Sequence, residues 1–473
     1  MMSEKIKKKN ETKFKGVNTY VLLFTLLIIV ALLTYIIPAG KFELFKDPNT
    51  GRMLTDPQSY HRVDKNPASF FDMFRAIQRG MVAGANIIFF IFIISGSVQI
   101  INATGAINAG ILKLTEKFKG REKYLIPIFM VVFSFTGAFL GFSEENLVFI
   151  PLAVSLSRYL GYDGIVGICI SYLATQVGFL SGLMNPFNVG VAHGIAELPM
   201  FSGIGFRILI YIVYMLVTAW YVMRYAEKVK KNPESSLVSN IVFDNEKFVD
   251  LSNVEAELTT RHKIIYFGFI IAVFAILYGA FNYGWYVADI SAVFLILGIG
   301  AGLICRFSFT KIADEFIAGA KGIVFGALIV GFARAIYIIM EESFIMDSII
   351  NFLVGGIGIF PGATAIVGIF IIQWFINILV PSATGQAAIS MPIFVPVADM
   401  LNITRQTSVI AFQLGDGINN SIIPTSSTLL AACTMADVPY HIWVKFLWRL
   451  TLIWSVIGAG LCILANVINL GPF

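Results

Sequence analysis

Thirteen apolar runs of 15 to 24 residues recur along the chain and constrain most of what it can fold into. They occupy residues 20–38, 81–102, 124–140, 146–160, 164–183, 205–225, 263–281, 285–306, 322–340, 361–380, 386–400, 405–419 and 441–464. A helix crosses the hydrocarbon core with about 17–25 predominantly apolar residues. In lipid it must also satisfy its own backbone polar groups. The expectation is an all-α polytopic membrane protein and not an enzyme. Charge supports this, because only 13% of residues are charged, against about 25% in soluble chains. Lys5, Lys7, Lys8, Lys9, Lys13 and Lys15 precede the first run. Basic residues collect on the cytoplasmic side, so the N-terminus is expected there, in a bacterial inner membrane, with the C-terminus outside. The same rule attributes the net charge of +5 to loops and not to nucleic acid. Residues 20–38 are too long for the apolar stretch of a cleaved signal and read as an anchor. Cys169, Cys305, Cys433 and Cys462 lie inside apolar runs without metal-ligand spacing and read as packing residues.

Internal repetition organises these runs. Phe71-Asp72-Met73-Phe74 with Gly80 and Gly84 recurs as Ala313-Asp314-Glu315-Phe316 with Gly322 and Gly326. Residues 151–161 parallel 392–402, and Ala196-Glu197-Leu198-Pro199 parallels Ala436-Asp437-Val438-Pro439. Duplicated halves with the site between them are a common transporter plan. The expected division is a first repeat at 1–226, a cytoplasmic linker at 227–262, a connecting span at 263–281 and a second repeat at 285–473. Re-entrant hairpins are expected at 124–160 and 361–400, and broken helices at 164–198 and 405–435. That count gives nine full spans plus two hairpins in two inverted-topology repeats. Residues 41–67 read as an exposed loop, and 68–80 and 312–321 as helices lying in the membrane interface.

The chemistry is expected where polar residues interrupt the runs. One tip carries Ser143, Glu144, Glu145 and Asn146, and the other Ser382, Thr384 and Gln386. Asn185-Pro186-Phe187-Asn188 interrupts one span. Asp416, Asn419, Asn420, Thr425 and Ser426 interrupt another. Unwound backbone frees carbonyls for cations and turns helix ends toward anions. These fourteen residues are the expected substrate site, with a coupling ion, proton or sodium, near Asn185 and Asp416. No catalytic group, cofactor or resident metal is expected, and no phosphate-cradling loop points to an ATP motor. Arg334 is expected to pair with Glu341 or Glu342, with substrate binding as the sharper alternative. His193 reads as a hydrogen-bonded structural residue, although an imidazole can shuttle protons.

The run Pro381-Ser382-Ala383-Thr384-Gly385-Gln386-Ala387-Ala388-Ile389-Ser390-Met391-Pro392-Ile393, followed by Leu414-Gly415-Asp416-Gly417, Asn420 and Pro424-Thr425, resembles the anaerobic four-carbon-dicarboxylate carrier family in its YfcC branch. Gly141-Phe142-Ser143-Glu144-Glu145, Asn185-Pro186-Phe187-Asn188 and Ala333-Arg334-Ala335-Ile336 fit the same branch, and the resemblance spans roughly residues 15–470. It implies membership of the ion-transporter superfamily, with inverted repeats, re-entrant hairpins, a homodimeric scaffold and elevator motion. Sodium–carboxylate relatives carry Ser-Asn-Thr at the tips. The tips Ser143-Glu144-Glu145 and Ser382-Ala383-Thr384 depart from that and count against sodium–dicarboxylate symport.

Two cargoes remain open. Carboxylates at Glu144, Glu145 and Asp416 suit a guanidinium or ammonium group. They point to exchange of a basic amino acid such as arginine for ornithine. The alternative is a four-carbon dicarboxylate or short-chain carboxylate carrier coupled to protons or sodium. An intramembrane enzyme is the reading from another class, but it leaves the duplicated interruptions unexplained.

Overall fold

The computed structural model describes residues 19–46, 53–56, 58–107, 109–110, 113, 118, 121–185, 187–241, 259–283, 285, 287–355 and 365–471. The first helix, α1 (Thr19–Ile36), is followed by two antiparallel strand pairs. Strand β1 (Gly40–Lys41) pairs with β4 (His61–Arg62), and β2 (Leu44–Lys46) with β3 (Met53–Thr55). A capping box then starts α2 (Phe70–Ala83), in which Ser69 Oγ accepts from Asp72 N and the Asp72 carboxylate accepts from Ser69 N. Two orphan donors are thereby satisfied at the helix start. Phe70, Phe71 and Phe74 stay exposed on α2, as suits a helix with one face in lipid.

Next come α3 (Ala85–Ala103), α4 (Leu125–Phe135) and α5 (Ile150–Tyr159). The helix α6 (Gly164–Ser181) starts at Asp163, whose carboxylate accepts from Val166 N, and contains a π-turn at Cys169–Leu173. It is followed by α7 (Val189–Ile195), α8 (Ile204–Lys231), α9 (Thr260–Tyr283), α10 (Val287–Ile304), α11 (Phe309–Gly322), α12 (Val324–Glu342) and α13 (Met346–Gly355). The chain ends with α14 (Ala365–Leu379), α15 (Ala383–Met400), α16 (Arg405–Asn419), α17 (Ser427–Met435) and α18 (Tyr440–Val467).

The expected count of nine spans and two re-entrant hairpins is overturned. Among the described residues, five helices are long and apolar enough to cross a membrane: Ala85–Ala103, Glu122–Leu140, Gly164–Ser181, Ile204–Lys231 and Tyr440–Val467. A sixth is added if Phe309–Gly322 and Ala327–Glu342, bent by 44°, form one span. The class remains an all-α polytopic membrane fold. Inverted repeats, broken spans and elevator motion were inferred from the larger count and lose that basis.

The physical reason is that an apolar window records composition and not helix continuity. Tyr20–Ile36, Ala288–Ile304 and Ala365–Leu379 are apolar but fall short of the 18-residue length. The run at 124–140, expected as a hairpin arm, lies within one helix long enough to cross alone. The run at 146–160 becomes a six-residue 3₁₀ turn at Glu144–Phe149 and the ten-residue α5. Of the expected second hairpin, 361–364 lie outside the described residues, and the remainder is α14 and α15 joined at 380–382. The linker residues 242–258 also lie outside them.

Two helices are wrapped by protein on all sides. The whole of α6 is buried, and so is α16 from Gln406 to Asn419. A helix shielded from lipid can carry polar side chains that a lipid-facing one cannot. That burial prepares the site.

Candidate functional site

Helix α16 is held by two glycines that flank Asp416. A Cβ on Gly415 would lie 2.7 Å from Gln373 Cβ on α14, and one on Gly417 would collide with Leu180 on α6. Any larger residue would push the helices apart, so the pair fixes Asp416 between α14 and α6. Helix α16 does not unwind at Asp416, as expected from sequence, but continues through Asn419. The interruption in the first half does begin where α6 ends, because Gly182 takes the left-handed region with φ +50°.

Asp416 is fully buried and accepts from three carboxamides. Asn188 Nδ2 donates to Oδ2 at 2.6 Å, Asn377 Nδ2 to Oδ1 at 2.9 Å and Asn420 Nδ2 to Oδ1 at 3.3 Å. An ionised carboxylate only accepts, so the NH₂ side of each amide faces it. The order continues outward. Asn377 Nδ2 also donates to Gln386 Oε1 at 3.1 Å, and Gln386 Nε2 donates to Gln373 Oε1 at 2.9 Å and Gln373 O at 2.8 Å. Side chains from α7, α14, α15 and α16 therefore form one network whose dipoles converge on a single negative charge. No Lys or Arg bonds Asp416 among the described residues.

The other expected residues gather around this network in two groups. Asn185 Oδ1 accepts from Phe187 N at 2.9 Å and Asn188 N at 3.1 Å, which shapes the turn that delivers Asn188. Gly141, at φ +68°, lies where a Cβ would strike Asn185 Oδ1, and Thr384 Oγ1 donates to Phe187 O at 3.0 Å. Asn419 Nδ2 donates to Trp374 O at 2.7 Å and Thr425 Oγ1 to Ile378 O at 3.0 Å, tying α16 and the following turn to α14. In the second group Ser143 N donates to Glu145 Oε2 at 2.9 Å and Gln176 Nε2 to Ser143 Oγ at 3.4 Å. Glu145 and Asn146 are buried, whereas Ser143 and Glu144 are half-buried. Tyr172 links the groups. Its hydroxyl donates to Asn420 O at 3.1 Å and also lies close to Ser426 and Glu144. Ser382 is exposed, and Ser426 is buried. Each caps the helix that follows it, accepting from Gly385 N and Leu429 N respectively.

Several polar atoms in this region are buried without a partner: the amide nitrogens of Asn185, Asn146 and Gln373, the indole Nε1 of Trp374, and the oxygens of Asn188 and Asn377. Buried polar groups are normally paired, and an unpaired one costs about 1–3 kcal/mol. A cluster of them lines a place built for a polar guest. No group of three or more His, Cys, Asp or Glu suited to a transition metal occurs among the described residues.

Asn377, Gln373 and Trp374 were missed in the sequence. Their signal was present, since two carboxamides four residues apart in an apolar helix share one face. Arg334 is half-buried and not the partner of Glu342, which pairs instead with Arg79. The fully buried arginine is Arg207, which donates to the carbonyls of Ser202 (2.6 Å), Phe201 (2.7 Å) and Leu183 (3.4 Å). His193 is buried beside it and accepts from Phe201 N at Nδ1, 2.9 Å away. The backbone N–H can only donate, so Nε2 carries the ring proton. The amide of Gln406, 3.2 Å from Nε2, must then present its oxygen and donate its NH₂ to Ser202 Oγ. Both ring nitrogens are committed, and His193 is a structural tie.

The family model described as C4-dicarboxylate anaerobic carrier matches residues 17–467. The chain is similar to the Escherichia coli protein described as a putative basic amino acid antiporter YfcC, at 31% identity over 90% of this chain and 92% of that one. It is also similar to an uncharacterized Haemophilus influenzae protein, at 28% identity over 93% and 94% of the two chains. Among solved structures, the Alcanivorax borkumensis YdaH transporter aligns over 96% of this chain and 100% of its own, with 16% identity and a TM-score of 0.40.

Proposed function

From the premise that this chain belongs to the C4-dicarboxylate anaerobic carrier family, we propose that its cargo is a four-carbon dicarboxylate or a short-chain carboxylate, moved together with a cation. The protein is a multi-pass bacterial inner-membrane protein and a secondary-active transporter of a small solute. One observation carries the choice of cargo. The buried acids of the site are already served, while hydrogen-bond donors remain free. Asp416 takes three amide donors and Glu145 takes Ser143 N. The unpartnered Asn185 Nδ2, Asn146 Nδ2, Gln373 Nε2 and Trp374 Nε1 are donors, which suit a carboxylate guest. Asp416 supplies the negative charge that a co-transported proton or sodium ion would neutralise.

Exchange of a basic amino acid is the second reading. It is favoured by the printed description of the 31% identical relative and by half-buried Glu144 beside Tyr172. The two separate in a thermal-shift screen of purified protein with succinate, fumarate, arginine and ornithine. The carboxylate reading predicts stabilisation by the dicarboxylates. Stabilisation by arginine and ornithine alone overturns it.

A further inference from the structure

We propose that Asp416, Asn188 and Asn377 form a sodium-selective binding site, in which one Asp416 carboxylate oxygen and the side-chain oxygens of both asparagines coordinate the ion. The inference rests on reading this cluster as the transport site, and it names the coupling ion. The observation behind it is a mismatch within two amides. Each uses its nitrogen on Asp416, at 2.6 Å for Asn188 and 2.9 Å for Asn377. Each leaves its oxygen fully buried and unpartnered. The two amides approach different oxygens of the carboxylate, Oδ2 and Oδ1, and so flank it on both sides.

An amide pairs its nitrogen with an anion and its oxygen with a cation. Asparagine χ2 is a broad torsion, so turning the two groups over replaces NH₂ with oxygen at nearly the same positions. The orphan oxygens then gain a partner, and a buried negative charge without a basic neighbour gains a counterion. Both changes remove desolvation costs that the ion-free arrangement sustains. Asn420, on the turn after α16, keeps its N–H on Oδ1 at 3.3 Å and holds the carboxylate in place. Gln386 Oε1, which accepts from Asn377 Nδ2 in the present arrangement, is released by the same turn and becomes a fourth oxygen within reach of the site.

The donor set selects the ion. All the ligands are hard oxygens, which suit alkali and alkaline-earth ions and not transition metals. One carboxylate balances one positive charge, while a calcium site commonly assembles several carboxylates. A proton on Asp416 would need no more than one of the two orphan oxygens. It leaves the paired arrangement without a purpose. The Ser143-Glu144-Glu145 and Ser382-Ala383-Thr384 tips lack the sodium–carboxylate pattern, but these ligands lie away from the tips, on α7, α14 and α16.

The test uses the full chain in detergent with no organic solute. Thermal unfolding is followed while sodium chloride replaces choline chloride or potassium chloride at constant ionic strength, and ²²Na⁺ binding is counted in parallel. Wild type is expected to gain several degrees saturably with sodium alone and to retain ²²Na⁺. Asp416→Asn and, as a second variant in case the first fails to fold, Asn377→Leu are expected to lose at least nine-tenths of both effects. A wild-type midpoint indifferent to sodium, one that follows pH only, or an unchanged sodium response in a folded variant overturns the proposal. The dicarboxylate shift, measured separately in choline chloride, judges the cargo reading, so either idea can fail without the other.

Discussion

Asp416 owes its place to its neighbours in sequence as much as to its own chemistry. Gly415 and Gly417 let α14 and α6 close on α16 from two sides, and the carboxylate between them meets amides from three other segments. Overpacking such a contact costs about 1–3 kcal/mol. Gly417→Ala is therefore expected to lower the thermal midpoint in detergent, and a midpoint unchanged from wild type would show that α6 and α16 can separate freely. Asp347, outside the spanning helices, is a different case. Burial raises its pKa, and the N–H donated by Phe42 only partly offsets that. The folded state thus holds this proton more tightly than the unfolded one. Its contribution is fully present below the unfolded value of 3.8 and is lost as pH rises through the folded one. Asp347→Asn keeps an oxygen for Phe42 and removes the charge. It should raise the thermal midpoint near neutral pH and gain little or nothing in acid. A fall near neutral pH would mean that the ionised group is stabilising.

At the scale of elements, polar interruptions were legible and helix limits were not. Gly182 and Asn185 marked the end of α6 because left-handed glycine and a side chain that competes for backbone N–H both stop helices. Asp416 and Gly417 suggested a break that α16 does not make, since tertiary packing on both faces outweighs the weak helix preference of Asp and Gly. The same limitation produced the excess spans, because a run such as 146–160 looks like half a membrane crossing until its turn is known. Asn377 and Gln373 escaped notice through their apolar surroundings. Read as a pair on one helix face, they announce a buried polar partner. Element ends give a direct test at α2. Ser69→Ala removes the cap on Asp72 N, worth about 1 kcal/mol, and should lower the thermal midpoint modestly without changing solute binding. Loss of solute binding with an intact fold would tie α2 to the site.

For the molecule as a whole, composition fixed the membrane class, and the motifs at Gly141–Glu145, Asn185–Asn188 and Pro381–Ile393 led to the family. The arrangement of the site needed coordinates, because Asn188 and Asp416 are 228 positions apart and meet only when α7 packs beside α16. The central claim is that solute crosses at this network. It is tested most directly by counterflow of labelled succinate into proteoliposomes loaded with unlabelled succinate. Wild type is predicted to accumulate label transiently, and Asn377→Ala and Asn188→Ala to lose at least nine-tenths of the rate while eluting as folded protein. Full counterflow in both variants would contradict the account.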